Sequence, residues 1–364
     1  MRDATASWQK SPLGELADIA IGGTPSRDIE NYWASDRIDG FPWVAISDLH
    51  GRIICETKEQ ITAAGVNNSN VKLVTAGTVL MSFKLSLGRV AFAGRDLFTN
   101  EAIAAFKSRG EVAEDFFFYV LPEAVRTSAT DVAIKGATLN KESLKTLRIS
   151  YPCKAVQERI TAILSAIDTA IEKTEALIAK YQQIKAGLMH DLFTRGVLPN
   201  GQLRPPREQA PELYQETVIG WIPRDWQYEL LDKLALRGSG HTPNKNFPEY
   251  WNGGVKWVSL ADSHRLDQLY ISDTELQISH KGIQNSSAVL YPAGIVVLSR
   301  DAGVGKSAIT TEPMAVSQHF MCWKCDQKMD NHFLYYWLQF NKRTFENIAM
   351  GSTILTIGLG VGVV

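Results

Sequence analysis

The sequence predicts an α+β protein of two similar domains joined by a long coiled-coil helix, and three observations carry that prediction. First, the chain repeats itself. Trp8-Gln9, Gly23-Thr24-Pro25, Tyr32-Trp33, Trp43-Val44, Asp48 and Ala76-Gly77 return in order as Trp226-Gln227, His241-Thr242-Pro243, Tyr250-Trp251, Trp257-Val258, Asp262 and Ala293-Gly294. Second, glycine-bounded apolar runs such as Val79-Leu80-Met81-Ser82-Phe83 read as strands, whereas Asp115 to Arg126 has the broad apolar face of a helix. Third, an unbroken heptad pattern lies between the two copies.

Taken in order, residues 1–152 form the first domain, with Val90-Ala91-Phe92 as a further strand after Gly88. Residues 153–197 form the helix. Val156, Ile160, Ile163, Ile167, Ala170, Thr174, Leu177, Tyr181, Ile184 and Leu188 step alternately by four and three, the a/d seam of a coiled coil. From Val156 to Asp191 such a helix is ~54 Å long at about 1.5 Å per residue. A seam of that length must face another helix, from this chain or a partner, or it leaves a large apolar stripe in water. Ile160, Ile163, Ile167, Leu177, Tyr181, Ile184 and Leu188 are therefore the candidate partner-binding residues. Residues 198–218, with Pro199, Gly201, Pro205, Pro206 and Pro211, read as an exposed linker. The second domain occupies 219–358, where Val296-Val297-Leu298-Ser299 answers Val79-Leu80-Met81-Ser82 and Gly305-Lys306 answers Gly88-Arg89. After Gly358 the parallel stops, and 359–364 read as an atypical, truncated tail.

Composition bounds the function classes. With 364 residues, 45% hydrophobic and 21% charged, the chain can bury two ordinary cores and is not disordered. Its net charge of −1 means that any nucleic-acid-binding face must be local, balanced by acidic residues elsewhere. Met1 to Leu16 lacks the pattern of a signal peptide, and the apolar stretch from Ile354 to Val364 is too short to span a bilayer. A cytoplasmic location, with no membrane partner, is expected.

Motifs for chemistry fail one by one. Gly303-Val304-Gly305-Lys306-Ser307 suggests a phosphate-binding loop, but Arg300 stands where the first glycine is required. Neither Gly22-Gly23 nor Gly238-Ser239-Gly240 makes a nucleoside-binding Gly-x-Gly-x-x-Gly turn, and no Asn-Pro-Pro-aromatic methyltransferase loop occurs. Cys322-Trp323-Lys324-Cys325 is half a zinc knuckle with no spaced partners, so a structural reading without metal is expected.

Three strings are specific: the paired Gly-x-Thr-Pro motifs, Ile219-Gly220-x-Ile222-Pro223-x-x-Trp226 opening the second domain, and Val156-Gln157-Glu158-Arg159-Ile160 opening the helix. With the two-domain layout, they resemble the specificity subunit of type I restriction-modification systems over nearly the whole chain. The resemblance implies that each domain is a target-recognition domain reading one half of a split double-stranded DNA sequence. It also implies that the helix is a ruler and a dock for two methyltransferase subunits, with restriction subunits joining them. S-adenosylmethionine, ATP and Mg²⁺ would sit on those partners, and this chain would be non-catalytic with no cofactor of its own. The chain departs from the family pattern in lacking a second conserved helix after the second domain. Either the sequence is truncated or frameshifted near Thr356, or the mate of the heptad seam comes from another chain. The alternatives are a non-reading scaffold or decoy that only docks methyltransferase and a stand-alone enzyme using the 303–307 loop.

DNA contacts must come from polar and basic loop residues, because phosphates take Lys, Arg, Asn or Ser and base edges take bidentate Arg, Asn or Gln. The candidates are Ser26, Arg27, Lys84, Arg89, Lys135 and Asn140 in the first domain, and Asn244, Lys245, Arg300, Lys306 and Gln318 in the second. Thr24-Pro25 and Thr242-Pro243 read as turn formers, and Trp33, Trp43, Trp251 and Trp257 as core.

Overall fold

A computed structural model of the chain describes residues 8–34, 40–84, 86–134 and 139–349, with backbone only over 128–134. It divides into two compact units, Met1–Ala176 and Leu177–Val364. The division falls inside the long helix, which runs from Lys154 to Thr194.

In the first unit a five-stranded sheet has the order Ala17–Ile21, Ile103–Ser108, Val79–Ser82, Val90–Ala93, Ile53–Ile54. All neighbours are antiparallel except the last pair. The central Val79–Ser82 strand is buried at every position, which is why it reads as a continuous apolar run rather than an alternation. One face meets Phe116, Phe117, Leu121 and Val125 of the helix Glu114–Ile134. The other joins Val44, Leu49 and Leu97 in a second core layer. A smaller sheet orders Glu59–Ile61, Phe41–Val44 and Phe98–Thr99. The helix expected from 115 to 126 runs on to Ile134, with Pro122 accommodated inside it.

The second unit repeats the fold and its register. Its five strands run in the order Leu236–Ser239, Phe320–Lys324, Val296–Ser299, Ser307–Thr310, Tyr270–Ile271. Val79 lies between Phe106 and Phe92, and Val296 lies between Trp323 and Ile309, the same pairs by sequence offset. The small sheet gains the strand Leu290–Tyr291 where the first unit has only an isolated bridge between Val74 and Leu97. The phosphate-loop string falls on a hairpin. Gly305, at φ 84°, donates to the Ser299 carbonyl at 3.0 Å, as Gly88, at φ 77°, donates to Ser82 at 2.9 Å. Ser307 therefore opens a strand, not the helix that phosphate cradling requires. Cys322 lies within a strand, and burial pushes its thiol up to about 12.

The first turns of the long helix are fastened to the first unit. Gln157 is fully buried, and its amide accepts from Ala113 N–H at 2.9 Å and donates to the Glu111 and Pro152 carbonyls at 3.0 and 2.9 Å. Ile160 packs against the main core. Beyond it the heptad seam lies open. Ile163 is 64% exposed and Tyr181 62%, with Ile167, Leu177, Ile184 and Leu188 also exposed, and no helix among the described residues covers them. At the other end Phe193 stacks on Phe340 at 5.3 Å and touches Phe333 at 5.4 Å.

The connector after the helix is exposed over much of its length, as at Pro199, Gly201 and Pro211, but a few buried residues order it. Arg204 is 4% exposed and holds Asp225 through two bonds of 2.8 and 2.9 Å, while Arg195 and Arg204 each donate to the other's carbonyl. Tyr214–Thr217 then pairs with Gly220–Pro223 as a hairpin. Proline removes donors locally, but buried arginine and tyrosine order the segment. No helix among the described residues is long and apolar enough to cross a membrane.

Candidate nucleic-acid interface

Each domain holds its Gly-x-Thr-Pro loop by the same four ties. The Trp43 indole donates to the Gly23 carbonyl at 2.9 Å, and Trp257 to His241 at 3.1 Å. Trp33 donates to Ser26 at 3.1 Å, and Trp251 to Asn244 at 3.4 Å. Each tryptophan pair meets edge to face at 5.0 and 5.2 Å. Finally the Thr24 hydroxyl donates to Glu101, and that of Thr242 to Gln318. The recurring Asp is a buried clamp: Asp48 accepts from Ala45 and Lys58 N–H, and Asp262 from Ser259 and Glu275 N–H. The motif residues thus build the platform, as expected of Trp43 and Trp257, which are 2% and 4% exposed.

On the first platform Ser26, Arg27, Lys84 and Glu101 come together. The Thr24 hydroxyl bond holds the Glu101 carboxyl below the usual carboxylate range, with the charges of Lys84 and Arg27 adding to it. Arg27 grips Glu59 through both nitrogens and lies 3.7 Å over the Trp33 ring, so its guanidinium anchors the loop. Lys84 is exposed, 5.5 Å from the Phe83 ring, and Arg89 is exposed at the end of the same hairpin. Asn140 is not in this group. It caps the helix Lys141–Thr146, accepting from Ser143 N–H at 2.9 Å, and that helix packs on Leu13–Leu16 ahead of the strand whose far end feeds the loop. Lys135 lies outside the described residues.

On the second platform the Thr242 hydroxyl ties Gln318 to the loop that carries Asn244 and Lys245. Asn244 folds its side chain back onto Asn246 N–H at 2.9 Å, and Lys245 is exposed where the first domain has Arg27. The Arg300 N–H donates to the His319 carbonyl at 3.0 Å, and His319 meets Asp301 at 2.7 Å. Lys306 turns to the Ser263 carbonyl at 3.0 Å and hydroxyl at 3.3 Å. Sequence reasoning singled out Gln318 but missed its mate Glu101. The repeat held the signal, since the offset that pairs Ala76 with Ala293 also pairs these two.

The chain is thus a tandem repeat that presents two similarly braced sets of polar loops bearing different side chains. The sequence profile of the type I restriction modification DNA specificity domain matches residues 6–183 and 223–360, and the chain belongs to that family. The type I restriction enzyme MjaIX specificity subunit of Methanocaldococcus jannaschii is 23% identical over 337 residues, covering 87% of this chain and 75% of that one. The HindI specificity subunit of Haemophilus influenzae is 28% identical over 261 residues, covering 58% of this chain and 56% of its own length. Among solved structures, the S subunit from M. genitalium superposes with a TM-score of 0.56 at 12% identity, covering 95% of this chain and 80% of that one. A chain from a structure describing complex assembly in the type I R-M system gives 0.52 at 16% identity, covering 98% and 84%. At such identities the two structures speak for the fold.

Proposed function

We propose that the chain is the DNA sequence-specificity subunit of a type I restriction-modification complex. Each domain reads one half of a bipartite duplex target, and the long helix docks two methyltransferase subunits, to which restriction subunits attach. The observation that carries the reading is the platform built twice with different side chains at matched places: Ser26 against Asn244, the anchored Arg27 against the exposed Lys245, and the exposed Arg89 against Lys306 turned to Ser263. Equal scaffolds place the loops alike, and unequal side chains offer unequal donors and acceptors to base edges. The names of the relatives and the membership of the family support the same role. Chemistry, with S-adenosylmethionine, ATP and Mg²⁺, is assigned to the partners.

The experiment is a duplex-binding titration of the chain with and without methyltransferase. Lys84→Ala with Arg89→Ala should weaken binding and reduce the salt slope by up to about two, one per lost phosphate contact. Methyltransferase binding with no duplex affinity in the assembled complex would instead identify a scaffold or decoy.

A further inference from the structure

Resting on that reading, we propose that Arg52 is a positioning residue: with Tyr119 and Asp168 it clamps the long helix to the first domain and so sets which spacer between half-sites the protein accepts. Three elements meet at its guanidinium. Arg52 precedes the strand Ile53–Ile54, and its carbonyl accepts from Phe92 N–H at 2.8 Å, so its backbone is stitched to the main sheet. Its Nη1 donates to the Tyr119 hydroxyl at 2.7 Å and to Asp168 Oδ2 at 3.1 Å, and its Nη2 donates to Ser165 Oγ at 2.9 Å. The Tyr119 hydroxyl also donates to Asp168 at 2.5 Å. Asp115 adds a second carboxylate at 3.8 Å, and the Phe118 ring, stacked on Phe92, lies 4.8 Å from the guanidinium.

The geometry separates this cluster from ordinary surface pairing. The Arg52 side chain is 21% exposed and its donors reach partners on two helices, whereas an isolated surface ion pair contributes little and fixes nothing. Gln157 fastens the helix at its first turn, and Asp168 fastens it again 11 residues on, ~16 Å along the axis. One attachment permits a pivot; two do not. A pivot of about 5° at one end of a helix ~60 Å long moves the other end by ~5 Å, more than the ~3.4 Å rise of one base pair. The second domain carries no such arginine: by sequence offset Leu269, packed against the second core, takes the place of Arg52, and Tyr336 lies 5.7 Å under Lys185.

The test measures spacing, which a merely stabilising residue would not alter. Arg52→Met keeps the stem and removes every donor, and Asp168→Asn is a second, milder variant should the first not fold. In the assembled methyltransferase, methylome mapping should show both half-sites unchanged. Sites with a spacer longer or shorter by one base pair should gain methylation roughly tenfold, the scale of one lost hydrogen bond to a charged group. Arg52→Lys should fall between. Independently of DNA, spin labels at Lys72→Cys and Lys173→Cys, in a chain with Cys55→Ser and Cys153→Ser, should give a broader distance distribution in Arg52→Met than in its parent. An unchanged spacer with an unchanged distribution overturns the clamp, as does a uniform loss of methylation at the parental spacer. A parental methylome without a bipartite target would defeat the functional reading instead, while the label distances would still report on the clamp.

Discussion

At the scale of single residues, polar side chains with every bond satisfied organise the molecule. Gln157 makes three hydrogen bonds while fully buried. Gln157→Leu would leave one N–H and two carbonyls without partners, at about 1–3 kcal/mol for each group that water does not reach. Urea unfolding of the first unit should show a loss of that order; an unchanged midpoint would mean that the amide is dispensable. The Arg27–Glu59 tie gives a pH prediction. Its hydrogen bond to Arg27 holds the Glu59 carboxyl below its ordinary value. A depressed carboxyl contributes stability above its unfolded pKa, and that contribution is lost as pH falls through the folded value. Both partners are about half exposed, so the effect is small. In a carboxyl titration by NMR, Arg27→Gln should move Glu59 back toward the ordinary range, and a parental Glu59 already titrating there would contradict the tie. Residue identity was legible in part. The repeated Trp, Thr and Asp positions stood out because each bonds to a loop of its own copy, whereas Glu101 hid among polar loop residues because its partner, Thr24, lies far away in sequence.

At the scale of elements, periodicity was the most legible signal and burial the least. The heptads located the helix to within a few residues, since local propensity and spacing suffice for a long uninterrupted helix. They could not say what covers the seam, which lies exposed from Ile163 to Leu188. Nor could prolines reveal that Arg204 and Tyr214 order the connector through contacts distant in sequence. If the seam is the methyltransferase dock, Ile167→Asp with Ile184→Asp should abolish association, because burying two carboxylates costs several kcal/mol. Both residues are exposed in the isolated chain, so its unfolding should be unaltered. Undiminished co-purification with methyltransferase would remove the helix from that role.

At the scale of the whole molecule, duplication makes recognition modular. Each domain has its own cores, its own braced loop and the same strand register, so one reader can change without disturbing the other. Exchanging residues 13–152 for the equivalent domain of a relative should alter one half of the methylated sequence and leave the other intact, since base readout is local to the docked loops. The segment keeps Arg52 and Tyr119 only if the donor carries them, and a donor without them should also loosen the spacer. Inserting one heptad after Thr174 adds ~10 Å of helix, or about three base pairs of B-form DNA, beyond the clamp and ahead of the second domain. The methylome should then show unchanged half-sites with a spacer longer by about three base pairs. If a one-domain exchange alters both half-sites, the two domains do not read independently; if the spacer ignores the added heptad, the helix is a tether rather than a ruler.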